Sequence, residues 1–259
     1  MSATVVQATA QPTAESPGLL RRALMEAIGT FALVSAGCGA IVTNATHHSS
    51  IGAVGVSLVF GLVIMVMVYA GGHLSGAHYN PSVTIAFTLA RHFPARDALA
   101  YIAAQLTGAS TAALLLLAAW PSKPAHLGAT IPSVGSATAL AYEVVLTALL
   151  MFVITAVATD TRAVGAAAAI AIGGTVGLDA LVGGPITGAS MNPARSFGPA
   201  LASGSWGSLW LYALGPVIGA ALGVFAYGLV RGPTPAASSS ASLSKEPAPD
   251  GMRSVRLPA

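Results

Sequence analysis

Charge is what this sequence has least of. Asp, Glu, Lys and Arg make up 7% of its 259 residues, against about 25% in a soluble domain, so water is not the solvent the chain is built for. Its one cysteine, Cys38, excludes an intramolecular disulfide and a CxxC metal pair; set in an apolar segment, it reads as a small packing residue. No Ser/His/Asp set, metal-ligating cluster or phosphate-binding glycine loop stands out. The expected protein is therefore not an enzyme and needs no cofactor and no metal. A net charge of +3 does not point to nucleic acid, because the basic residues lie between apolar runs, where membrane topology accounts for them. Residues 1–18 are polar and lack the basic-then-apolar order of a cleavable signal. Residues 232–259 are rich in Pro, Ser and Ala. Both ends are expected to be disordered tails flanking a membrane domain at 19–231.

What is present is apolar: 54% of residues are hydrophobic. A membrane-crossing helix needs about 20 mostly apolar residues, and six segments qualify, at 20–43, 51–70, 98–120, 137–158, 164–183 and 207–230. Two further apolar stretches, 80–90 and 192–202, are too short to cross. An even number of spans puts both termini on one side. Arg21, Arg22, Arg91, Arg96, Arg162, Arg231, Lys245, Arg253 and Arg256 fall on that side, and only Lys123 and Arg195 on the other. The bias makes the termini cytoplasmic, in a multi-pass protein expected in the plasma membrane.

The two short stretches begin alike. Gly76-Ala77-His78-Tyr79-Asn80-Pro81-Ser82 and Gly188-Ala189-Ser190-Met191-Asn192-Pro193-Ala194 each place Asn, a favoured N-cap, before Pro, which suits the first helical position because its missing N–H is unpaired there anyway. Two half-helices with identically built N-termini are therefore expected. The spans repeat as well: Glu26-x-x-x-Thr30 recurs as Glu143-x-x-x-Thr147, at nearly the offset that relates Asn80 to Asn192. Halves of three spans each, about 19–120 and 137–231, must enter the membrane in opposite senses, which makes an inverted repeat. The fold class is an all-α membrane protein of six transmembrane helices and two re-entrant half-helices.

In that arrangement the half-helices meet N-terminus to N-terminus near the midplane. Each end carries unpaired N–H groups and partial positive charge, so together they repel cations. The Asn80 and Asn192 amides offer donors to a passing neutral molecule. The carbonyls of Gly76, Ala77, His78 and Tyr79 on one side, and of Gly188, Ala189, Ser190 and Met191 on the other, offer acceptors, since irregular backbone at membrane depth is tolerated where it lines a wet cavity. Such a filter passes neutral hydrogen-bonding solutes and penalises ions.

His73-x-Ser75-Gly76-Ala77-His78-x-Asn80-Pro81, Gly188-Ala189-Ser190-x-Asn192-Pro193-Ala194-Arg195-Ser196-Phe197-Gly198 and the paired Glu26 and Glu143 resemble the aquaporin, or major intrinsic protein, family over about residues 20–230. Ser82 stands where the family usually has Ala. The resemblance implies a homotetramer with one pore per subunit. It also implies an outer constriction at Phe60, Ala180, Ala189 and Arg195. Water-selective members carry His at the position of Ala180, and glycerol facilitators carry Asp at that of Ser196. Tyr212 is followed by Ala213, without the second aromatic common in strict water channels. Gly184-Pro185-Ile186-Thr187-Gly188-Ala189-Ser190-Met191-Asn192 is similar to the nodulin-26-like branch, whose members often pass glycerol, urea or uncharged metalloid acids. The expected function is a passive channel for water and such solutes that excludes ions and protons. A strict water channel and an ion-coupled transporter are the alternatives; the latter needs titratable groups at a centre that here holds amides.

Other residues leave two readings each. Glu26 and Glu143 are either proton-coupling carboxylates or acceptors for loop N–H groups, and their duplication favours the second. His78 is either a pH-sensitive vestibule group or is satisfied by loop backbone. Arg195, against the charge bias, is read as a pore residue and not a stray loop charge. Asp179 adjoins Ala180 and is expected to bond loop backbone or a neighbouring helix. His47 and His48 are expected in a solvated external turn. Gly215, Gly219 and Gly223 mark close helix packing, with Gln105 and Gly108 as packing residues on the third span.

Overall fold

Among the described residues, six helices are long and apolar enough to cross a bilayer: α1 (Leu19–Thr46), α2 (Gly52–Ser75), α4 (Ala95–Ala119), α5 (Ser136–Thr159), α6 (Ala168–Thr187) and α8 (Leu209–Arg231). At a rise of ~1.5 Å per residue, α3 (Pro81–Leu89) and α7 (Pro193–Ser203) reach only about half-way across. The computed structural model of the protein describes residues 17–160 and 167–232. The expected tails beyond those limits, with Arg162, Lys245, Arg253 and Arg256 of the charge count, lie outside the described residues.

Two helices run further than their apolar stretches suggest. α2 continues through Gly71 and Gly72 to Ser75, and α6 through Gly183, Gly184 and Pro185 to Thr187. Glycine in a helix interior costs about 1 kcal/mol, but here it admits neighbours. A Cβ on Gly71 would lie 2.0 Å from the Tyr79 hydroxyl, and one on Gly183 2.4 Å from Leu146 Cδ1. Both helices stop where Gly76 (φ +86°) and Gly188 (φ +87°) take the left-handed cap conformation, each donating its N–H to the carbonyl four residues back at 3.0 Å.

Glycines also set how the spans pack. Gly108 of α4 faces the Ala27 carbonyl of α1, where a Cβ would sit 2.1 Å from the oxygen; Gly219 of α8 faces the Val144 carbonyl of α5, where it would sit 2.4 Å away. The two halves meet at Gly61 of α2 and Gly173 of α6, each placed so that a Cβ would strike the other's carbonyl. Gly215 and Gly223 continue the α5–α8 contact. Small residues allow this approach in a solvent where no hydrophobic effect drives helices together. Leu58, Leu62, Leu114, Leu115, Val145 and Phe225 point outward, as lipid-facing side chains do. At the face bearing the chain ends, Arg22 pairs with Asp97 at 2.7 Å and Arg231 with Asp160 at 3.2 Å, tying the first to the third span within each half.

Candidate functional site

Both short helices start on a side-chain cap. Asn80 is extended (φ −155°) and its Oδ1 accepts the Ser82 N–H at 2.9 Å; Asn192 (φ −152°) accepts from Ala194 and Arg195 at 3.0 and 3.2 Å. Oδ1 of each amide thus holds its own helix. Nδ2 reaches across to the other: Asn80 Nδ2 donates to the Met191 carbonyl at 2.7 Å and Asn192 Nδ2 to the Tyr79 carbonyl at 2.8 Å. One N–H of each amide is therefore committed, and one remains for a solute. The Tyr79 and Met191 carbonyls are likewise occupied, which corrects the expectation of four free acceptors per loop. Those of Gly76, Ala77, His78, Gly188, Ala189 and Ser190 have no protein partner among the described residues.

The loops before the caps are strained. Ala77, Tyr79, Ala189 and Met191 have φ between 41° and 52°, a conformation that costs non-glycine residues roughly 1–2 kcal/mol each. What holds them is a buried carboxylate in each half. Glu26 Oε1 accepts from the Ser75 hydroxyl (2.7 Å) and His78 N–H (3.0 Å), and its Oε2 from Tyr79 N–H (2.6 Å) and Gln105 Nε2 (2.8 Å). Glu143 Oε1 accepts from the Thr187 hydroxyl (2.7 Å) and Ser190 N–H (3.0 Å), and its Oε2 from Met191 N–H (2.8 Å). Successive N–H groups converging on an anion form a nest, and the αL residues are what turn them inward. Tyr101 and Tyr212 close each unit by donating to the carbonyls of Ser75 and Thr187.

A cavity of about 490 Å³ passes between the loops. His73, Val157 and Ala168 line it towards the face with the termini, Asn80 and Asn192 its middle, and Phe60, Ala180, Ala189 and Arg195 its other end. Arg195 is 2% exposed; its Nη1 donates to the Gly128 carbonyl at 2.7 Å, and its guanidinium lies 5.0 Å from the Phe60 ring centre. Ala180 and Ala189, with a methyl group each, line the same cavity. Gly128 ends a turn, Pro124–Gly128, in which Ala125, His126 and Leu127 are all left-handed; buried Leu127 anchors it.

His78 also lines the cavity, with its partner in the half-helix and not in loop backbone: Nδ1 lies 3.0 Å from the Thr84 hydroxyl. Thr84 also reaches the Asn80 carbonyl at 3.1 Å and accepts from Gln105 at 3.0 Å. Phe87, Phe93 and Tyr101 pack around the ring. Gln105, read as a packing residue, is instead a donor to both Glu26 and Thr84. Asp179 also differs from expectation. It is a residue of α6, 1% exposed, and its Oδ2 has no hydrogen-bond partner among the described residues. His47 and His48 are exposed, and Cys38 packs with its Sγ 3.8 Å from the Gly128 carbonyl. Ser75, Thr187 and Tyr212 enter the sequence analysis only within motifs, and Tyr101, Gly128 and Thr130 are passed over, although Ser75 pairs with Thr187 and Tyr101 with Tyr212 at nearly the offset that relates Asn80 to Asn192.

Ser82 Oγ is fully buried without a partner among the described residues. An unpaired buried hydroxyl is destabilising by about 1 kcal/mol or more, so Ser82→Ala is expected to raise the thermal unfolding midpoint in detergent; a fall would mean that the hydroxyl is bonded in the native protein.

The family model described as Major intrinsic protein matches residues 13–227. The chain belongs to the major intrinsic protein family. Among relatives of this family, Aquaporin NIP1-1 of Zea mays is 47% identical over 212 residues, covering 82% of this chain and 75% of that one. Nodulin-26 of Glycine max is 45% identical over 212 residues, covering 82% and 78%. Among solved structures, the aquaglyceroporin from Plasmodium falciparum superposes with a TM-score of 0.72 at 25% identity, over 81% of this chain and 96% of that one. This major intrinsic protein is a membrane channel for water and small neutral solutes, and not an enzyme.

Proposed function

We propose that this major intrinsic protein is a wide-filter channel whose selectivity is set at Phe60, Ala180, Ala189 and Arg195, and that glycerol, urea or uncharged metalloid acids cross with water. One observation carries the reading: the buried Arg195 guanidinium, stacked by the Phe60 ring, lines the same cavity as two alanines, Ala180 and Ala189. Methyl groups leave an aperture that an imidazole at Ala180 would narrow. Arg195 supplies donors to a solute's oxygens and Phe60 an apolar wall for its carbon face. Beyond them, free carbonyls of Ser190, Ala189 and Gly188, the paired Asn amides, then carbonyls of His78, Ala77 and Gly76 form a ladder for a hydrogen-bonding molecule.

Ions are rejected on electrostatic grounds. Two helix N-termini point at the midplane, and the buried Arg195 adds a full positive charge in a low dielectric, where it is felt strongly. The excess of Arg at the face with the termini supports a cytoplasmic position for that face, with Arg195 towards the outside, in a plasma membrane. The outward apolar surface of each subunit suits lipid and the assembly into a homotetramer that the family resemblance implies.

Stopped-flow swelling of proteoliposomes with glycerol, urea and boric acid tests the solute range. Water flux together with at least one of the three is expected. Water flux with none of them would leave a strict water channel and remove the wide-filter reading.

A further inference from the structure

We infer that Thr130, on the segment after α4 and outside the Asn-Pro motifs, is a positioning residue for the selectivity filter, acting on Arg195 through a chain of hydroxyls; this rests on the filter reading above. Thr130 Oγ1 donates to Ser196 Oγ at 2.8 Å, and Ser196 Oγ lies 2.5 Å from Ser190 Oγ, which donates to the Asn192 carbonyl at 2.8 Å. Ser190 spends its one proton on that carbonyl, so Ser196 must donate to Ser190. The chain is therefore directed, from Thr130 to Ser196 to Ser190 to Asn192, with every hydroxyl in it at most 6% exposed.

Repeat symmetry shows what is unusual about it. In the first half the corresponding pair is His78 and Thr84, and its third partner is Gln105 of α4, a membrane span. In the second half the place of Ser190 and Ser196 is the same, but their third partner is Thr130, on the connection between α4 and α5. Two residues of that connection grip two consecutive residues of α7: the Gly128 carbonyl holds Arg195 and the Thr130 hydroxyl holds Ser196. A strap and not a helix thus fixes the first turn of the half-helix that carries the filter cation. The strap is fastened by Leu127 in the core and by Gly128, where a Cβ would come 2.7 Å from Cys38.

Thr130→Val removes the hydroxyl at equal volume, while Thr130→Ser retains it. In proteoliposomes, T130V is expected to raise the permeability of urea and glycerol relative to water about five-fold, the worth of one neutral hydrogen bond, and T130S to leave the ratio at the wild-type value. Ser196→Ala, which breaks the same chain at its middle, is expected to follow T130V. Equal ratios in T130V and wild type, or equal changes in T130V and T130S, would overturn the positioning role. So would T130V and S196A proteins that both fail to yield folded channel, since the chain would then serve folding and not the filter. A wild type that excludes urea and glycerol while T130V admits them would sink the wide-filter reading and leave the strap intact.

Discussion

Replacing Arg195 by valine is expected to change transport more than any other substitution in the pore. Among the described residues the guanidinium is the one buried cation at its end of the cavity. It bridges two walls, through Gly128 on one side and the Phe60 ring on the other. Valine removes the head group, a charged hydrogen bond worth about 1.5–3 kcal/mol, and the positive charge that opposes cations. Glycerol and urea flux relative to water is expected to rise by about ten-fold or more, the equivalent of at least ~1.4 kcal/mol. A proton leak is expected with it, read by a pH-sensitive dye trapped in the vesicles. An unaltered solute ratio in folded R195V protein would move the filter elsewhere along the cavity.

Glu26→Gln is expected to do its damage before any transport is measured. Four donors converge on the Glu26 carboxylate, and an amide has one oxygen to offer them. Whichever way it is turned, its NH₂ faces two donors, one of them a loop N–H. At about 1–3 kcal/mol for each buried group left unpaired, the loss approaches the whole stability of an ordinary domain, roughly 5–15 kcal/mol. Folded yield by size exclusion in detergent is expected to fall several-fold. Glu143→Gln is expected to be milder, because an amide turned with its nitrogen at Oε2 displaces only the Met191 N–H bond. Equal yields for the two variants would contradict this ranking. Full yield of E26Q with loss of a pH response in flux would make Glu26 a titrating group and not a scaffold.

How far the sequence could be read depended on whether a residue acts through its own neighbours or through distant ones. The Asn-Pro starts were legible because capping is local: Asn80 and Asn192 bond the N–H groups two or three residues on. The six spans were legible because hydropathy is a property of a window. The ends of α2 and α6 were not, since Gly71 and Gly183 look like breaks until Tyr79 and Leu146 are seen to need the space. Gln105 and Thr130 are polar residues in plain view, yet their partners lie at Glu26, Thr84 and Ser196, and no spacing within one segment announces them. Asp179 shows the opposite case: its sequence position suggested a bond that the structure does not make.

The crossed amides make each half depend on the other. Asn80 Nδ2 closes on Met191, and Asn192 Nδ2 on Tyr79, so neither half pairs its own amide nitrogen. Two identical copies of one half, related by a twofold axis in the membrane plane, would make the same bond twice, as an isologous contact does. The single chain thus carries the crossed contact of a twofold dimer, and its halves differ behind that contact: one has Gln105 of a span behind its loop, while the other has Arg195 and a strap to hold it.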